Sequence, residues 1–559
     1  MSQPRSGSQI QRLAAVVFLL TLSGSPFSQA PTLPAPRRNG PFRVAGTIVS
    51  SSEGHALSRA RVSLQDVKDE KNGFFMITGD DGHFQFENLP AGKYSLAGAK
   101  RGYITASYDE HDQQFSTAIV TGADLNTENL TLRIAPTATL TGHVLDEFGD
   151  PVRQANVTLW RDDHSVGVSR TVHFRAYTSD DQGAFEFAPL NGGTYFVSVI
   201  AKPWYAVHPP STHPENAARL PVSVDRSLDV VYPPTYYQGA TEVEDATPLL
   251  LRGGDHVDLD FRLTPVPAVH VILRTPVSEG QQSFRHPSLS RRDFEGAPFN
   301  AQPDIQMPSP GVFEIVTSPG RYDLHLPPGD EGPRQDTVVD ISGEDTQELD
   351  LSAAQAVGSV TAKIELVGET TFPAGMALAL RNPQSHVARW ERVTSNHAVT
   401  FTEVVPGKYD VLAGGELRVY SVVRMTLNGS TVFGHSLTVP PGATVEVSVS
   451  IVGGATDVNG FAQHGGKATP GAMIVLIPKT PEANRELFRR DQSDLDGSFT
   501  FHSVIPGTYT VVAIQNGWDL DWSKPAVIAR YAAHGQKLVV SEALHNAIQL
   551  PNPVEIQPK

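Results

Sequence analysis

Apolar and polar residues alternate along this chain in short runs, and the runs come in recurring pairs. Phe84/Phe86, Phe185/Phe187, Phe313/Ile315, Val399/Phe401 and Phe499/Phe501 are apolar residues two positions apart. That spacing puts both side chains on one face of a β-strand. Each pair is followed by Gly-x-Tyr, at Gly92, Gly193, Gly320, Gly407 and Gly507, and the alternation then resumes in "KYSLAG", "TYFVSVI", "RYDLHL", "KYDVLAG" and "TYTVVAI". The phrase predicts a β-hairpin. In three copies the turn contains Pro-Gly (Pro319-Gly320, Pro406-Gly407, Pro506-Gly507), which predicts a type II turn with the glycine at positive φ.

The five glycines are 101, 127, 87 and 100 residues apart. These intervals are the size of domains and exceed the unit of a solenoid. The first, second and last copies share a leader as well: "VAGTIVSSSEGHALSRARVSL" (44–64), "LTGHVLDEFGDPVRQANVTLW" (140–160) and "VNGFAQHGGKATPGAMIVLIP" (458–478) each read as strand, turn, strand. An Asp/Gly turn then joins two further strands in "TGDDGHFQF", "TSDDQGAFEF" and "SDLDGSFTF", and trailing segments follow the first two copies. About seven short strands with frequent turns predict a small antiparallel β-sandwich. The expected architecture is therefore all-β, a tandem array of about five such sandwiches resembling transthyretin or immunoglobulin domains. The expected boundaries are a leader at 1–30, a linker at 31–41 and sandwiches at 42–136, 137–265, 266–354, 355–452 and 453–559. The third and fourth keep only the second half of the pattern and are read as divergent members.

Composition agrees with turn-rich folded material: 559 residues, 40% hydrophobic, Gly 47 and Pro 43. One hydrophobic core cannot organise so long a chain. A net charge of −16, without a Lys/Arg cluster, argues against a nucleic-acid partner. Arg5 and Arg12 precede the apolar run "LAAVVFLLTL" (13–22) and the small residues of 23–30, the layout of an export signal. Ten apolar residues are too few for a bilayer that needs about twenty, and no later stretch is long enough. The chain has no cysteine. Disulfides, thiol catalysis and Cys-based metal sites are thereby excluded, and export points to a bacterial periplasm, outer surface or exterior.

The two halves of the repeated pattern together resemble the carboxypeptidase regulatory-like domain family, in its secreted bacterial form. Gly142, Val144, Gly149, Pro151, Ala155, Val157 and Leu159 fit the first half, and Asp494, Gly497, Phe499, Phe501, Pro506, Gly507, Tyr509 and Val511 the second. The resemblance is clear over about 44–265 and 453–515 and weak between. It implies a transthyretin-like sandwich, often classed with carbohydrate-binding-like folds. These motif residues are turn and core positions, so they specify a fold rather than a ligand.

None of the 19 histidines begins His-x-x-Glu, so the zinc-binding spacing of a metallopeptidase is missing. Nucleophile-elbow, P-loop and dinucleotide-binding glycine motifs are missing too. No enzyme activity and no cofactor is expected. The acidic turns Asp80-Asp81-Gly82, Asp180-Asp181 and Asp494–Gly497 invite a calcium reading, but an EF-type loop built on Gly497 would begin at Gln492 and end at Ser503 without a bidentate Glu. They are read as ordinary turns, with no metal.

Aromatic residues just after the Tyr strand are the remaining candidates: Tyr103, then Trp204 and Tyr205, then Trp518 and Trp522. Each ring either plugs the end of its sandwich or offers a flat face on which a sugar stacks. The function expected is exported, non-catalytic binding of a polysaccharide or cell-envelope polymer by several weak sites. The alternative is a structural or adhesive spacer, or a periplasmic protein-interaction scaffold. The pattern leaves the oligomeric state open.

Overall fold

The first alternating run, β1 (Phe42–Ser50), lies in the middle of a three-stranded sheet. On one side it pairs antiparallel with β4 (His83–Leu89), and on the other parallel with β8 (Leu130–Ile134). The opposing sheet holds β2 (Arg61–Asp66) between β3 (Gly73–Ile77) and β5 (Gly92–Ala99), with β6 (Ala106–Ser107) and β7 (Ile119–Thr121) also pairing with β5. Val44, Ile48, Val62, Leu64, Phe84, Phe86, Tyr94, Leu96, Leu132 and Ile134 fill the space between the sheets. The period-two alternation of the sequence is thus the inside–outside alternation of a sandwich.

This computed structural model describes residues 40–559 apart from short internal stretches, the longest being 210–224, 275–286, 295–303 and 327–334. The expected leader at 1–30 and nearly all of the expected linker lie outside the described residues. The arrangement around the first strand recurs four times. Ala138–Leu145, Val269–Arg274, Gly358–Leu366 and Thr456–His464 each take an antiparallel neighbour (Ala184–Leu190, Val312–Thr317, Ala398–Val404 and Ser498–Val504). Each also takes a parallel one: His256–Arg262, Thr346–Asp350, Thr444–Gly453 and, in the last, Ile548–Gln549 with Val554–Gln557. Every group has its own apolar core.

Two expectations are refined here. The sandwiches are not wholly antiparallel, because the closing strand reaches the first strand only after crossing over from the other sheet, and so arrives running the same way. The third and fourth groups keep the first strand between an antiparallel and a parallel neighbour, although among the described residues the facing sheet of the third has three strands, Ser288–Arg291, Gly320–Leu326 and Gln335–Ile341, and no counterpart of β3. What their sequences lack is the Gly-bearing leader. Its purpose is visible at Gly142, where an added Cβ would fall 1.7 Å from the Leu259 carbonyl oxygen and 2.8 Å from the Phe185 ring.

The Gly-x-Tyr phrase also acquires a physical reason. Tyr94, Tyr195, Tyr322, Tyr409 and Tyr509 each donate a hydroxyl hydrogen bond to the carbonyl four residues upstream, on Pro90, Asn191, Ser318, Val405 and Ile505, at 2.9–3.0 Å. The ring lies inside the sandwich while its hydroxyl closes the turn that leads into its own strand. Neither Gly407 nor Gly507 has positive φ, so the type II expectation fails at these turns. At Gly507 the tyrosine folds back over the glycine, and an added Cβ would crowd the Tyr509 ring at 3.2 Å, whereas at Gly407 it would lie at an ordinary 3.7 Å from Tyr409.

A buried polar cluster joins the second and third groups. His270, 5% exposed, lies between Glu314 (Nδ1 to Oε1, 2.6 Å) and Asp229 (Nε2 to Oδ2, 2.9 Å), and Asp229 is also 3.0 Å from His208 Nδ1. Burial works against protonation of the imidazole, but hydrogen bonds and charges from the two carboxylates outweigh it and raise its pKa to about 9. Burial likewise opposes ionisation of Asp229, and its two histidine partners more than offset this and hold it below the usual carboxylate range.

Two outcomes follow. For His270, whose folded pKa is raised, the stabilisation is complete below its unfolded value of about 6.5 and is lost as pH rises through about 9. Denaturant unfolding of the full chain followed from pH 6 to 9.5 should therefore show the 266–354 region weakening in the wild type, with His270→Gln lowering stability at pH 6 and flattening the dependence over that window. Tyr509→Phe removes a buried donor and orphans the Ile505 carbonyl, at a cost of roughly 1–2 kcal/mol. Hydrogen exchange should report it as faster opening of Gly507–Ile514, with the corresponding strand Gly92–Ala99 unaffected.

Candidate functional site

The five aromatic candidates occupy similar sequence positions and meet three different surroundings. Tyr103 is half-buried at the end of the first sandwich, bridged through its backbone to Pro136. Trp204 is 87% exposed. Trp518 and Trp522 are buried.

Trp518 and Trp522 follow the strand Gly507–Ile514, and the short helix α1 (Pro525–Ala532) follows them. They cover the outer face of the last sandwich, where Met473, Val475, Ile477, Val512 and Ile514 form a second apolar layer with Phe488, Ile528 and Tyr531. The first sandwich contributes to this layer as well. His111 stacks on Trp518 at 4.6 Å and 9°, and Phe115 lies 5.3 Å from the same ring. Arg490 is inserted among the rings, 4.7 Å from Phe115, 5.6 Å from Trp518 and 4.6 Å from Trp522. Its guanidinium pairs with Asp112 at 2.8 Å and donates to the Ser165 carbonyl at 3.3 Å. Residues of the first, second and last sandwiches thus meet around one side chain. Burial pulls the Arg490 pKa down and Asp112 pushes back.

Hydrogen bonds extend this seam. Gln492 donates to the Asp109 carbonyl at 2.7 Å and to Thr117 Oγ1 at 2.8 Å, and its Oε1 lies 3.0 Å from His111 Nδ1. The acidic turn at 494–497 belongs to the same seam. Asp494 accepts from Lys93 at 2.7 Å and from the Ala118 amide at 2.9 Å. Burial raises the Asp494 pKa, and Lys93 partly offsets that. In the other acidic turns Asp81 and Asp180 accept from backbone amides two to four residues on. These carboxylates are occupied as turn caps and seam contacts. Among the described residues, no three His, Asp or Glu side chains converge as a cation site requires.

Between the second and last sandwiches the seam opens into a hollow of about 420 Å³ lined by His164, Ser169, Asp519, Asp521 and Arg530. Ser169 Oγ donates to Asp162 at 2.7 Å, and His164 Nε2 rests 3.3 Å from the same residue. The imidazole is thus not set as a base on the hydroxyl, and the arrangement lacks the geometry of an activated nucleophile.

Trp204 presents a different environment. Its neighbour Tyr205 meets it edge-on at 5.9 Å and 90°, and the Tyr205 hydroxyl donates to Glu147 Oε1. Tyr232 donates to the other oxygen, Oε2, at 2.8 Å. Burial and then the Glu147 hydrogen bond push the Tyr205 hydroxyl up to about 12, and the same two causes raise Tyr232. The two hydroxyls, with a backbone hydrogen bond, overcome the burial of Glu147 and hold it below its ordinary range. Phe148, adjacent in sequence to this anchor, is 80% exposed. The result is an exposed indole, Trp204, packed edge-on against a tyrosine that a Tyr205–Glu147–Tyr232 bridge holds in place. Sequence reading named Trp204 and Tyr205 but missed Glu147, Phe148 and Tyr232. The available signal was "DEFGDP" (146–151), where a phenylalanine stands in a turn otherwise made of polar residues, Gly and Pro.

Comparison with known proteins agrees with the fold. Residues 43–133 match the carboxypeptidase regulatory-like domain model, and residues 457–541 match the model described as BOS complex subunit NOMO1-like, second beta sandwich domain. A search of curated proteins returned no match. Among solved structures, a streptococcal ancillary pilin is 11% identical, covering 51% of this chain and 100% of its own, with a TM-score of 0.19. The Bacillus anthracis TIE protein is 10% identical over 92% of this chain and 74% of its own, with a TM-score of 0.16. The 5-hydroxyisourate hydrolase of Klebsiella pneumoniae is 20% identical over 23% of this chain and 96% of its own, with a TM-score of 0.13. At these identities and scores no role passes from them to this chain. The chain carries a carboxypeptidase regulatory-like domain as the first of its sandwiches and a NOMO1-like β-sandwich domain as the last.

Proposed function

We propose that this protein is a non-catalytic binding protein, exported by its leader, whose second sandwich engages a polysaccharide or cell-envelope polymer on the exposed ring of Trp204. The observation that carries the reading is the pairing of an almost fully exposed tryptophan with an immobilised support. Tyr205 packs edge-on against the indole and is itself tied to Glu147. Exposing a large ring to water brings no folding benefit, whereas a rigid ring gives a stacking surface at little entropic cost on binding. Among the described residues, no helix is long and apolar enough to cross a membrane.

A second reading, a structural or adhesive scaffold, is favoured by Trp518 and Trp522. These rings are spent on holding sandwiches together. One of the two matching family models is drawn on a subunit of a complex, and repeated sandwiches joined through a buried seam suit a spacer equally well. In this reading protein partners replace the polymer.

Retention of the purified chain on a panel of insoluble polysaccharides and peptidoglycan separates the two. Trp204→Ala should weaken retention on the preferred polymer by about three- to tenfold, the worth of one stacked ring, with thermal unfolding unchanged. If the wild type is retained on none of the panel, the scaffold reading takes its place. Arg490→Met tests the seam: it removes a charge held among three rings and opposite Asp112, so the last sandwich should detach from the first. Small-angle scattering should then give a larger radius of gyration than the wild type, with the secondary structure intact.

A further inference from the structure

We infer that β3 of the first sandwich is a self-association edge, on which a second copy of this chain pairs antiparallel with its own β3. The strand Gly73–Ile77 ends its sheet, whose order runs β3, β2, β5 and then β6 or β7, so among the described residues its outer side has no strand partner. The last sandwich docks near the other side of this sheet, through Lys93 of β5 and Ala118 beside β7. Closure of the array therefore leaves the β3 edge facing outward.

Two features set this edge apart from its counterparts in the same chain. The terminal strands Arg170–Thr178, Ala388–Arg392 and Arg489–Gln492 stand in the corresponding place in the second, fourth and last sandwiches, beside the strand that follows the leader turn. Those of the second and fourth carry charge, Arg170 and Arg175 in one and Arg389, Glu391 and Arg392 in the other, and that of the last carries Arg489 beside Arg490, which is buried in the seam. Charged side chains on an edge are the usual guard against pairing with another chain. The sequence of β3, "GFFMI", has no charged residue, no proline and no polar side chain. Its outward residues are also apolar: Phe75 is 65% exposed and Ile77 55% exposed. Arg61 of the neighbouring strand lies over the Phe75 ring at 4.6 Å and reaches its face rather than guarding the edge.

The composition of the strand selects a second copy as the occupant. Phe75 is the middle residue of five, so a two-fold axis through it sets Phe75 opposite Phe75 and Gly73 opposite Ile77, with all exposed apolar side chains on the same outer face. In a chain of net charge −16, self-pairing is resisted wherever like charges on the paired strands face each other, and β3 itself has none to oppose its copy. The contact is self-complementary, as an isologous interface must be. It is also small, which makes it a reversible association rather than an obligate one.

Sedimentation velocity of the full chain tests this, from about 1 to about 200 µM, the range suited to a small interface. The wild type should pass from monomer to dimer, and Phe75→Lys should remain monomeric throughout with an unchanged circular dichroism spectrum, since the side chain it replaces stands in solvent. Because the chain has no cysteine, Phe75→Cys introduces a single thiol, and the pairing brings the two Cβ atoms to about 4.5–5.5 Å, close to disulfide spacing. Mild oxidation should cross-link Phe75→Cys at least about tenfold faster than Trp390→Cys, which lies on the charged edge of the fourth sandwich. A wild type that is monomeric at every concentration, a Phe75→Lys variant that dimerises normally, or equal cross-linking of the two cysteine variants would each overturn the proposal. The first of these outcomes would leave the edge to an extended segment of another protein.

Discussion

A buried guanidinium holds this array in its closed form. Taking a charge out of water costs several kcal/mol, and Arg490 recovers that cost only from groups that three sandwiches supply together. Its own sandwich gives Trp518 and Trp522, the first gives Asp112 and Phe115, and the second gives the Ser165 carbonyl. A desolvated cation–π contact contributes up to about 2 kcal/mol, so no one ring is sufficient. If any sandwich is withdrawn, the remaining ones keep a partly buried cation or an uncovered tryptophan. The seam is therefore cooperative, and its other contacts, Lys93 with Asp494 and Gln492 with Asp109 and Thr117, fix its register.

Much of the fold was legible in the sequence because its strands alternate with a period of two and its turns repeat. The alternation also carried a finer message. β2 reads "RVSLQD", with the polar residues Arg61, Ser63 and Gln65 on the outer face, whereas the corresponding strand of the last sandwich reads "MIVLIP" and is buried throughout. A strand apolar on both faces is covered on both faces. In the last sandwich the cover is Trp518, Trp522 and α1. In the second, the partial break at Trp160 has the same cause, since that buried ring lies 5.5 Å from Phe294 of the third. What alternation could not supply is which sandwich covers which, because contacts between residues 381 positions apart, such as His111 with Gln492, leave no local trace.

The functional candidates were legible in kind and not in fate. Tyr103, Trp204 and Trp518 each stand four residues after the end of the corresponding strand, where the chain leaves the sheet. What becomes of each ring is decided by what stands opposite that end. Trp518 meets His111 and Phe115 of the first sandwich and becomes core. Tyr103 meets the connection to the next sandwich, through Pro136. Trp204 meets its own Tyr205, which is held in turn by a turn carboxylate.

This difference between copies is the strongest physical argument for division of labour along the chain. If the aromatic were simply a plug that every sandwich needs, it would be buried in all of them against its own core, and Trp204 would not stand in solvent. If it were simply a ligand platform repeated for avidity, Trp518 and Trp522 would not be consumed by a seam. One position in a repeated fold has instead been turned to cohesion in the last sandwich and left open in the second. The second sandwich, held by Arg490 at the seam and by His270 at its junction with the third, is thereby fixed on two sides. Under the proposed binding role, a stacking face placed there would draw its preorganisation from the array as well as from Glu147.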